Sequence, residues 1–208
     1  MRNRIRALMT LIPTTMLIAC ERPAPQPEPA LETKAGADNQ WVAVNLEHLT
    51  DAQSAQIATA NESRDMLAST LKGELMSAIR SGGPVSAIDV CHTRAPAIAA
   101  QVSAEQGVQI GRTSHKLRNG TNTGPSWMQA VVEGQVAEPH AFADAEGELA
   151  IAYPIMLENG CVICHGQPAQ IAPAVQDAIA VQYPEDEATG FTPGDLRGWL
   201  WVEVPPAD

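Results

Sequence analysis

Basic residues are scarce in this chain of 208 residues, and their scarcity excludes two classes of partner. Thirteen Lys and Arg stand against 24 Asp and Glu, which gives a formal net charge of −11 at pH 7. Nucleic acids and anionic lipid surfaces favour basic patches, so neither is an expected partner. A positively charged redox protein would instead be attracted, although the acidity could also simply keep an exported protein soluble.

Long hydrophobic runs are equally few, and none is long enough to cross a bilayer. Residues 7–18 form a short apolar run behind a positively charged start, which predicts a signal peptide over residues 1–19. The run ends in Leu17-Ile18-Ala19-Cys20, which resembles the lipobox of bacterial lipoproteins. Cys20 is therefore predicted to become the lipidated first residue of the mature chain. The alternative is an ordinary secretory signal with an incidental cysteine.

Residues 20–40 lack apolar periodicity and are rich in proline, so they are predicted to form an extended, solvated tether. Residues 41–208 have the length of one domain with its own core. Cleavage after residue 19 would remove three basic residues and no acidic one, which changes the formal charge from −11 to −14. The protein is expected in the periplasm on a lipid anchor. Glu21 is not the aspartate that commonly retains lipoproteins at the inner membrane, so the outer membrane is favoured.

Cysteine is also rare, with four in the chain, and two of them lie in Cys161-Val162-Ile163-Cys164-His165. Cys-x-x-Cys-His is the attachment signature of c-type haem. Cys161 and Cys164 can each add across a haem vinyl group, and His165 can bind the iron as an axial ligand, so the motif predicts one covalent haem c. A zinc site formed with Cys91, or a thioredoxin-like dithiol, is an alternative. Zinc requires four ligands, and the dithiol requires a βαβ pattern that the chain does not show.

Cys91 is the one cysteine that neither lipidation nor the haem motif explains. It falls on the apolar face of a predicted helix, where it is either a buried hydrophobic residue or a second ligand of the iron. His92 competes for that role, but neighbouring residues of a helix point about 100° apart, so both cannot easily serve one iron. Met156 and His115 are further candidates. A thiolate ligand would lower the reduction potential and a methionine would raise it.

Three basic side chains, Arg112, Lys116 and Arg118, cluster in a polar stretch of the chain. Guanidinium groups bind carboxylates in a bidentate manner, so Arg112 and Arg118 are predicted to contact the haem propionates, ahead of Lys116. An exposed basic loop is the alternative. Two other histidines are predicted to be solvated, namely His48 before the first helix and His140 in a turn.

The order of predicted elements indicates an α+β domain with a long N-terminal helix and an antiparallel sheet. Thr50-Asp51-Ala52-Gln53 is a capping box that begins the first helix, and Gly82-Gly83-Pro84 breaks it. A second helix is predicted to end at Gly107, with a kink near Arg94 caused by Pro96. The later elements are predicted as strands at 108–110, 136–143, 148–156 and 196–204, helices at 127–133 and 173–183, and a loop at 112–125.

Four stretches of the chain are together similar to a known family. They are Gly83-Pro84-Val85-Ser86-Ala87-Ile88-Asp89-Val90-Cys91; Gly111-Arg112-Thr113-Ser114 with Lys116-Leu117-Arg118-Asn119; Cys161-Val162-Ile163-Cys164-His165-Gly166; and Ala188-Thr189-Gly190-Phe191 with Gly194-Asp195-Leu196-Arg197-Gly198. In these stretches the chain resembles the small exported monohaem c-type cytochromes with a PAS-like fold. That domain was long catalogued as of unknown function, and it also occurs as the sensor module of some bacterial signalling proteins.

The resemblance implies a PAS-like antiparallel sheet flanked by helices, with one covalent haem. It further implies that the iron is bound by the motif histidine and by a cysteine that aligns with Cys91. His92, directly after that cysteine, departs from the family pattern, so the choice between Cys91 and His92 as distal ligand stays open.

The predicted function is that of a membrane-tethered monohaem c-type cytochrome in the periplasm, acting in one-electron transfer or redox response with a redox partner protein. The second interpretation is a sensor or binding module, in which a small gas or a redox change displaces Cys91. A peroxidase-like enzyme ranks third, because catalysis needs an open iron position and distal acid–base groups. The chain is accordingly expected not to be an enzyme.

Overall fold

The computed structural model describes residues 41–206, so the predicted signal peptide, the lipidation site Cys20 and the Pro-rich tether lie outside the described residues. The predicted α+β class is confirmed, because five antiparallel strands form one sheet with helices packed against it. The strands, in the sheet order β1-β3-β4-β5-β2, are β1 (Val42–Val44), β2 (Gln109–Thr113), β3 (His140–Ala143), β4 (Leu149–Met156) and β5 (Leu196–Val204). The α-helices are α1 (Asp51–Asp89), α2 (Ala95–Gln106), α3 (Met128–Glu133), α4 (Val162–His165) and α5 (Pro173–Gln182).

Helix α1 begins at the predicted capping box. The Thr50 hydroxyl accepts a hydrogen bond from the Gln53 backbone N–H at 3.2 Å, and the Gln53 side chain accepts one from the Thr50 N–H at 3.0 Å. The predicted break is confirmed at Gly83, whose φ of 76° is not helical and is readily adopted only by glycine. Helical structure resumes at Pro84, so the break is a kink within one long helix.

A π-helical segment, Val90–Arg94, joins α1 to α2. Within it the Ala95 N–H donates to the Val90 carbonyl, five residues back, so this turn is wider than an α-helical one. Pro96 stands in the first turn of α2, directly after this segment. The predicted disturbance near Arg94 is therefore present as a π turn. Such turns within helices are frequent at functional sites.

Both faces of the sheet are covered. Because successive side chains of β4 and β5 point to opposite faces, alternate residues pack against different helices. Ile151, Leu200 and Val202 belong to a core cluster with residues of α1 and α2. Ala150 and Trp199 belong to a second cluster, formed with Trp127 and residues of α3.

Two strand boundaries differ from the sequence prediction, and one strand was not foreseen. β2 continues to Thr113, so Arg112 pairs with Leu200 of β5 instead of lying in a loop. β3 begins only at His140, because Pro139 has no N–H to donate to a sheet. His140 is half-buried in this strand, so its prediction as a solvated turn residue is wrong. β1 was missed because three residues are too few to show a periodic pattern.

No helix within residues 41–206 is both long enough and apolar enough to cross a membrane.

Candidate haem site

The cysteine-histidine motif lies between β4 and α5. Cys161 ends a short 3₁₀ turn, and helix α4 carries Cys164 and His165. Both thiols are free and half-buried. Gly166 follows, and a Cβ atom there would come within 2.6 Å of the Val162 carbonyl oxygen, so only glycine lets the chain turn this closely.

The Nδ1 atom of His165 is in a hydrogen bond, whereas its Nε2 has no hydrogen-bond partner within residues 41–206. Its Nδ1 lies 2.7 Å from the Ala188 carbonyl oxygen, which can only accept, so Nδ1 carries the proton. The Arg197 Nε also approaches Nδ1, at 3.3 Å, but a protonated nitrogen cannot accept from it, so we treat that contact as electrostatic only. A histidine that donates from one ring nitrogen to a carbonyl offers the lone pair of the other to a metal.

Burial, followed by the charges of Arg118 and Arg197, lowers the pKa of His165 to about 3. The imidazole is therefore neutral at physiological pH, which is the form that binds metals.

Residues 186–195, here called the cover segment, lie over the motif. The Phe191 N–H donates to the His165 carbonyl at 3.0 Å, and the Gly190 N–H donates to the Gly166 carbonyl at 2.9 Å. The Phe191 ring meets the His165 ring edge-on, with centroids 6.4 Å apart. The motif is thus held from outside by a segment more than twenty residues further along the chain.

Cys91 lies in the π-helical segment, half-buried, with a free thiol. Burial raises the pKa of this thiol, and the positive charges of Arg112, Arg118 and Arg197 act in the opposite direction. Cys91 also interacts electrostatically with Cys164. The structure therefore brings Cys91 into the same electrostatic environment as the motif, although 73 residues separate Cys91 from Cys164 in the sequence.

His92 differs from Cys91 in its exposure and in its contact. It is exposed, and its ring packs edge-on against Tyr183 of the α5 end, with centroids 5.3 Å apart. Tyr183 also interacts electrostatically with Cys91, so the choice between Cys91 and His92 as distal ligand stays a prediction.

The basic residues differ in what they already bind. The Arg112 guanidinium group has no hydrogen bond or ion pair to any of residues 41–206, and burial lowers its pKa. Arg118 is buried and ion-paired with Asp186, so its observed partners are protein groups. Lys116 donates to the Thr189 carbonyl at 3.4 Å and lies over the Phe191 ring. Among Arg112, Arg118 and Arg197, only Arg112 has a guanidinium group with no hydrogen-bond partner within residues 41–206, so it is available to bind a carboxylate of a ligand.

Arg197 was not assigned a role from the sequence. Its Nη1 donates to the Ser114 hydroxyl at 2.8 Å and to the Lys116 carbonyl at 3.1 Å, and its guanidinium group lies over Phe191. Arg197 and His165 are 32 residues apart, and the contact joins the start of β5 to the motif helix α4. No spacing in the sequence signals such a contact. The only hint was that Arg197 lies in one of the four stretches similar to the known family.

The other candidate ligands are less well placed. His115 packs edge-on against Phe191 and Trp199, and its Nδ1 is buried with no hydrogen-bond partner in the described part of the chain. Met156 ends β4 and is 45% exposed. His48 is exposed, in agreement with its prediction as a solvated residue.

The zinc alternative has no support among the described residues. Within residues 41–206, no three His, Cys, Asp or Glu side chains are grouped so that they could hold a metal ion between them. A structural zinc site needs four protein ligands close together, whereas a haem iron needs at most one on each face.

The sheet order, the flanking helices and the long N-terminal helix define an α+β domain of the PAS-like type. The chain belongs to the Tll0287-like family, whose sequence profile matches residues 43–205. The crystal structure of the cyanobacterial haem protein Tll0287 has the same fold, with a TM-score of 0.51 and 24% sequence identity. The match covers 79% of this chain and 99% of that one. No curated protein matches the chain.

Proposed function

We propose that this protein is a membrane-tethered monohaem c-type cytochrome of the periplasm that acts in one-electron transfer or redox response. The observation that carries the proposal is the state of His165, beside two free thiols. Its Nδ1 donates to the Ala188 carbonyl, and its Nε2 has no partner in the described part of the chain. The similarity to a protein described as a haem protein supports the same cofactor. A bound haem would supply one-electron chemistry at its iron.

The side chains of the site fit a covalently bound haem. Cys161 and Cys164 would form thioether bonds by addition of each S–H across a vinyl group, a step that needs no oxidant. His165 would be one axial ligand, and Cys91 the other. Arg112, with no carboxylate partner among the described residues, would pair with a propionate. Arg118 stays a predicted propionate contact, although its observed hydrogen bonds go to protein groups.

The charges of the site agree with an anionic occupant. Arg112, Arg118 and Arg197 contribute three positive charges, and Asp186 offsets one of them. Two ionised propionates and a thiolate ligand would carry three negative charges, which would balance the two remaining positive charges and the single net positive charge of a ferric porphyrin. Burial raises the pKa of Cys91 and the same arginines oppose that effect only in part, so the proposed thiolate would depend on the bound iron as well.

Covalent haem is tested directly by the pyridine haemochrome spectrum of the exported, purified protein. The wild-type protein is expected to contain one haem per chain that resists acid–acetone extraction. Cys161→Ser with Cys164→Ser should lose it entirely, whereas Cys91→Ala should keep it, because Cys91 forms no thioether. A wild-type protein free of covalent haem would overturn the proposal.

Sensing is a second candidate, and the π-helical segment favours it. Cys91 lies in this wider turn between two regular helices. Release of its thiol from the iron would therefore change the conformation of the turn and shift α1 and α2 relative to each other. A sensor of this kind should bind carbon monoxide once the iron is reduced, with a shifted Soret band. A reduced protein whose spectrum is unchanged by carbon monoxide would instead favour the electron carrier.

A further inference from the structure

We propose that the buried ion pair between Arg118 and Asp186 positions His165, acting through the carbonyl group of Ala188. The inference rests on the proposed function, because it takes His165 as an axial ligand of haem. It gives Arg118 a role different from the propionate contact that the sequence predicts.

The ion pair is buried and bidentate. The Arg118 Nε lies 3.1 Å from Asp186 Oδ1, the Nη2 lies 3.3 Å from Oδ2, and each side chain is 9% exposed. By contrast, the pair between Lys72 and Glu158 is largely exposed. A buried pair costs desolvation energy and contributes little net stability compared with apolar residues, so its presence calls for another explanation.

Both members of the pair hold the backbone of Ala188. The Asp186 carboxylate accepts a hydrogen bond from the Ala188 N–H at 2.9 Å, and the Arg118 Nη2 donates to the Ala188 carbonyl at 3.2 Å. The two peptide groups that flank Ala188 are therefore fixed by one ion pair. Their orientation does not depend on a regular helix or strand, since this part of the cover segment belongs to neither.

The Ala188 carbonyl in turn fixes the ring of His165, whose Nδ1 donates to it at 2.7 Å. The same Arg118 Nη2 donates to the Cys164 carbonyl at 2.6 Å, directly before His165. The ion pair thus restrains His165 in two ways, through the peptide group that precedes it and through the carbonyl group that binds its ring. Groups that hydrogen-bond a metal-binding histidine set its ring orientation and its strength as a donor, so the Arg118–Asp186 pair is a positioning device.

Asp186→Asn in the haem-loaded protein tests the inference, with electron paramagnetic resonance of the oxidised iron as readout. The substitution should shift or split the low-spin g-values, because the His165 ring loses its single orientation. Glu187→Gln is the matched control, since it removes one negative charge at the next residue, on an exposed side chain. The g-values of Glu187→Gln should equal those of the wild type. Wild-type g-values in Asp186→Asn would overturn the positioning role.

Arg118→Lys separates position from charge and also carries the test if Asp186→Asn does not fold. Lysine keeps the positive charge but lacks the planar fork that reaches Asp186, Cys164 and Ala188 together. It should shift the g-values, and wild-type values would overturn the positioning role, because the charge alone would then suffice. Absence of covalent haem from the wild type would overturn both proposals, whereas normal haem with wild-type g-values in either variant would overturn the positioning role alone.

Discussion

At the scale of single residues, the chemistry of the proposed iron site depends on which side chain opposes His165. Cys91 interacts with the arginines that surround the motif, whereas the neighbouring His92 is exposed and packs on Tyr183. The two residues are adjacent in sequence and differ in environment, which makes them a matched pair for experiment.

Cys91→Ala is expected to abolish the thiolate features of the oxidised protein's optical and paramagnetic spectra. The reduction potential should rise, because a thiolate stabilises the oxidised iron. His92→Ala should leave both properties as in the wild type and cost less than about 1 kcal/mol of stability, since it removes one exposed ring contact. If His92→Ala changes the spectra and Cys91→Ala does not, the assignment of the distal ligand must be exchanged.

At the scale of elements, the contact between β2 and β5 holds the cationic side of the site together. Gly198 of β5 has a φ of 152°, and a Cβ atom there would collide with the Thr113 carbonyl oxygen and approach the Ser114 Cβ at 3.0 Å. Ser114 donates from its hydroxyl to the Arg197 carbonyl at 2.7 Å. The close approach of Gly198 to Thr113 and Ser114 therefore helps to fix the position of Arg197, the residue before it.

Gly198→Ala is expected to lower the free energy of unfolding by about 3 kcal/mol, from steric overlap added to backbone strain. Gly147→Ala is the control, because Gly147 also has a positive φ, of 88°, but its nearest neighbour is the Pro206 Cβ at 3.6 Å. It should lose only about 1 kcal/mol. Urea unfolding of both variants measures the difference, and equal losses would mean that the overlap is relieved by a small movement.

Local signals in the sequence predicted elements well, and contacts between distant elements could not be read from it. The capping box, the Gly83 break, Gly107 and the haem motif are each contained within a few residues, so their patterns are visible without a fold. The contact between Arg118 and Asp186 spans 68 residues. It depends on how the cover segment meets the loop after β2, which no spacing in the sequence encodes.

At the scale of the whole molecule, charge is the property that bears on a partner. The chain has 24 acidic and 13 basic residues, and the proposed cleavage would make it more acidic still. Electrostatic attraction should therefore raise the rate of association with a basic redox protein. The range of this attraction shortens as the ionic strength rises.

Electron transfer to a basic monohaem cytochrome is accordingly expected to slow about tenfold between 10 and 200 mM salt, as the Debye length shortens. Stopped-flow mixing of the reduced protein with the oxidised partner measures the second-order rate constant. An acidic cytochrome of similar size is the control, and its rate should rise or stay constant. Equal salt dependence for both partners would show that the net charge does not guide the encounter.

The cover segment also bears on the order in which the protein matures. Its hydrogen bonds to His165 and Gly166 come from residues that follow the motif in the chain, and β5 comes later still. In the proposed export, which begins at the N-terminus, the two motif thiols would emerge while the residues that enclose them are still to come. The proposed haem would then be attached to an open peptide, and folding of residues 186–204 would be the closing step that retains it.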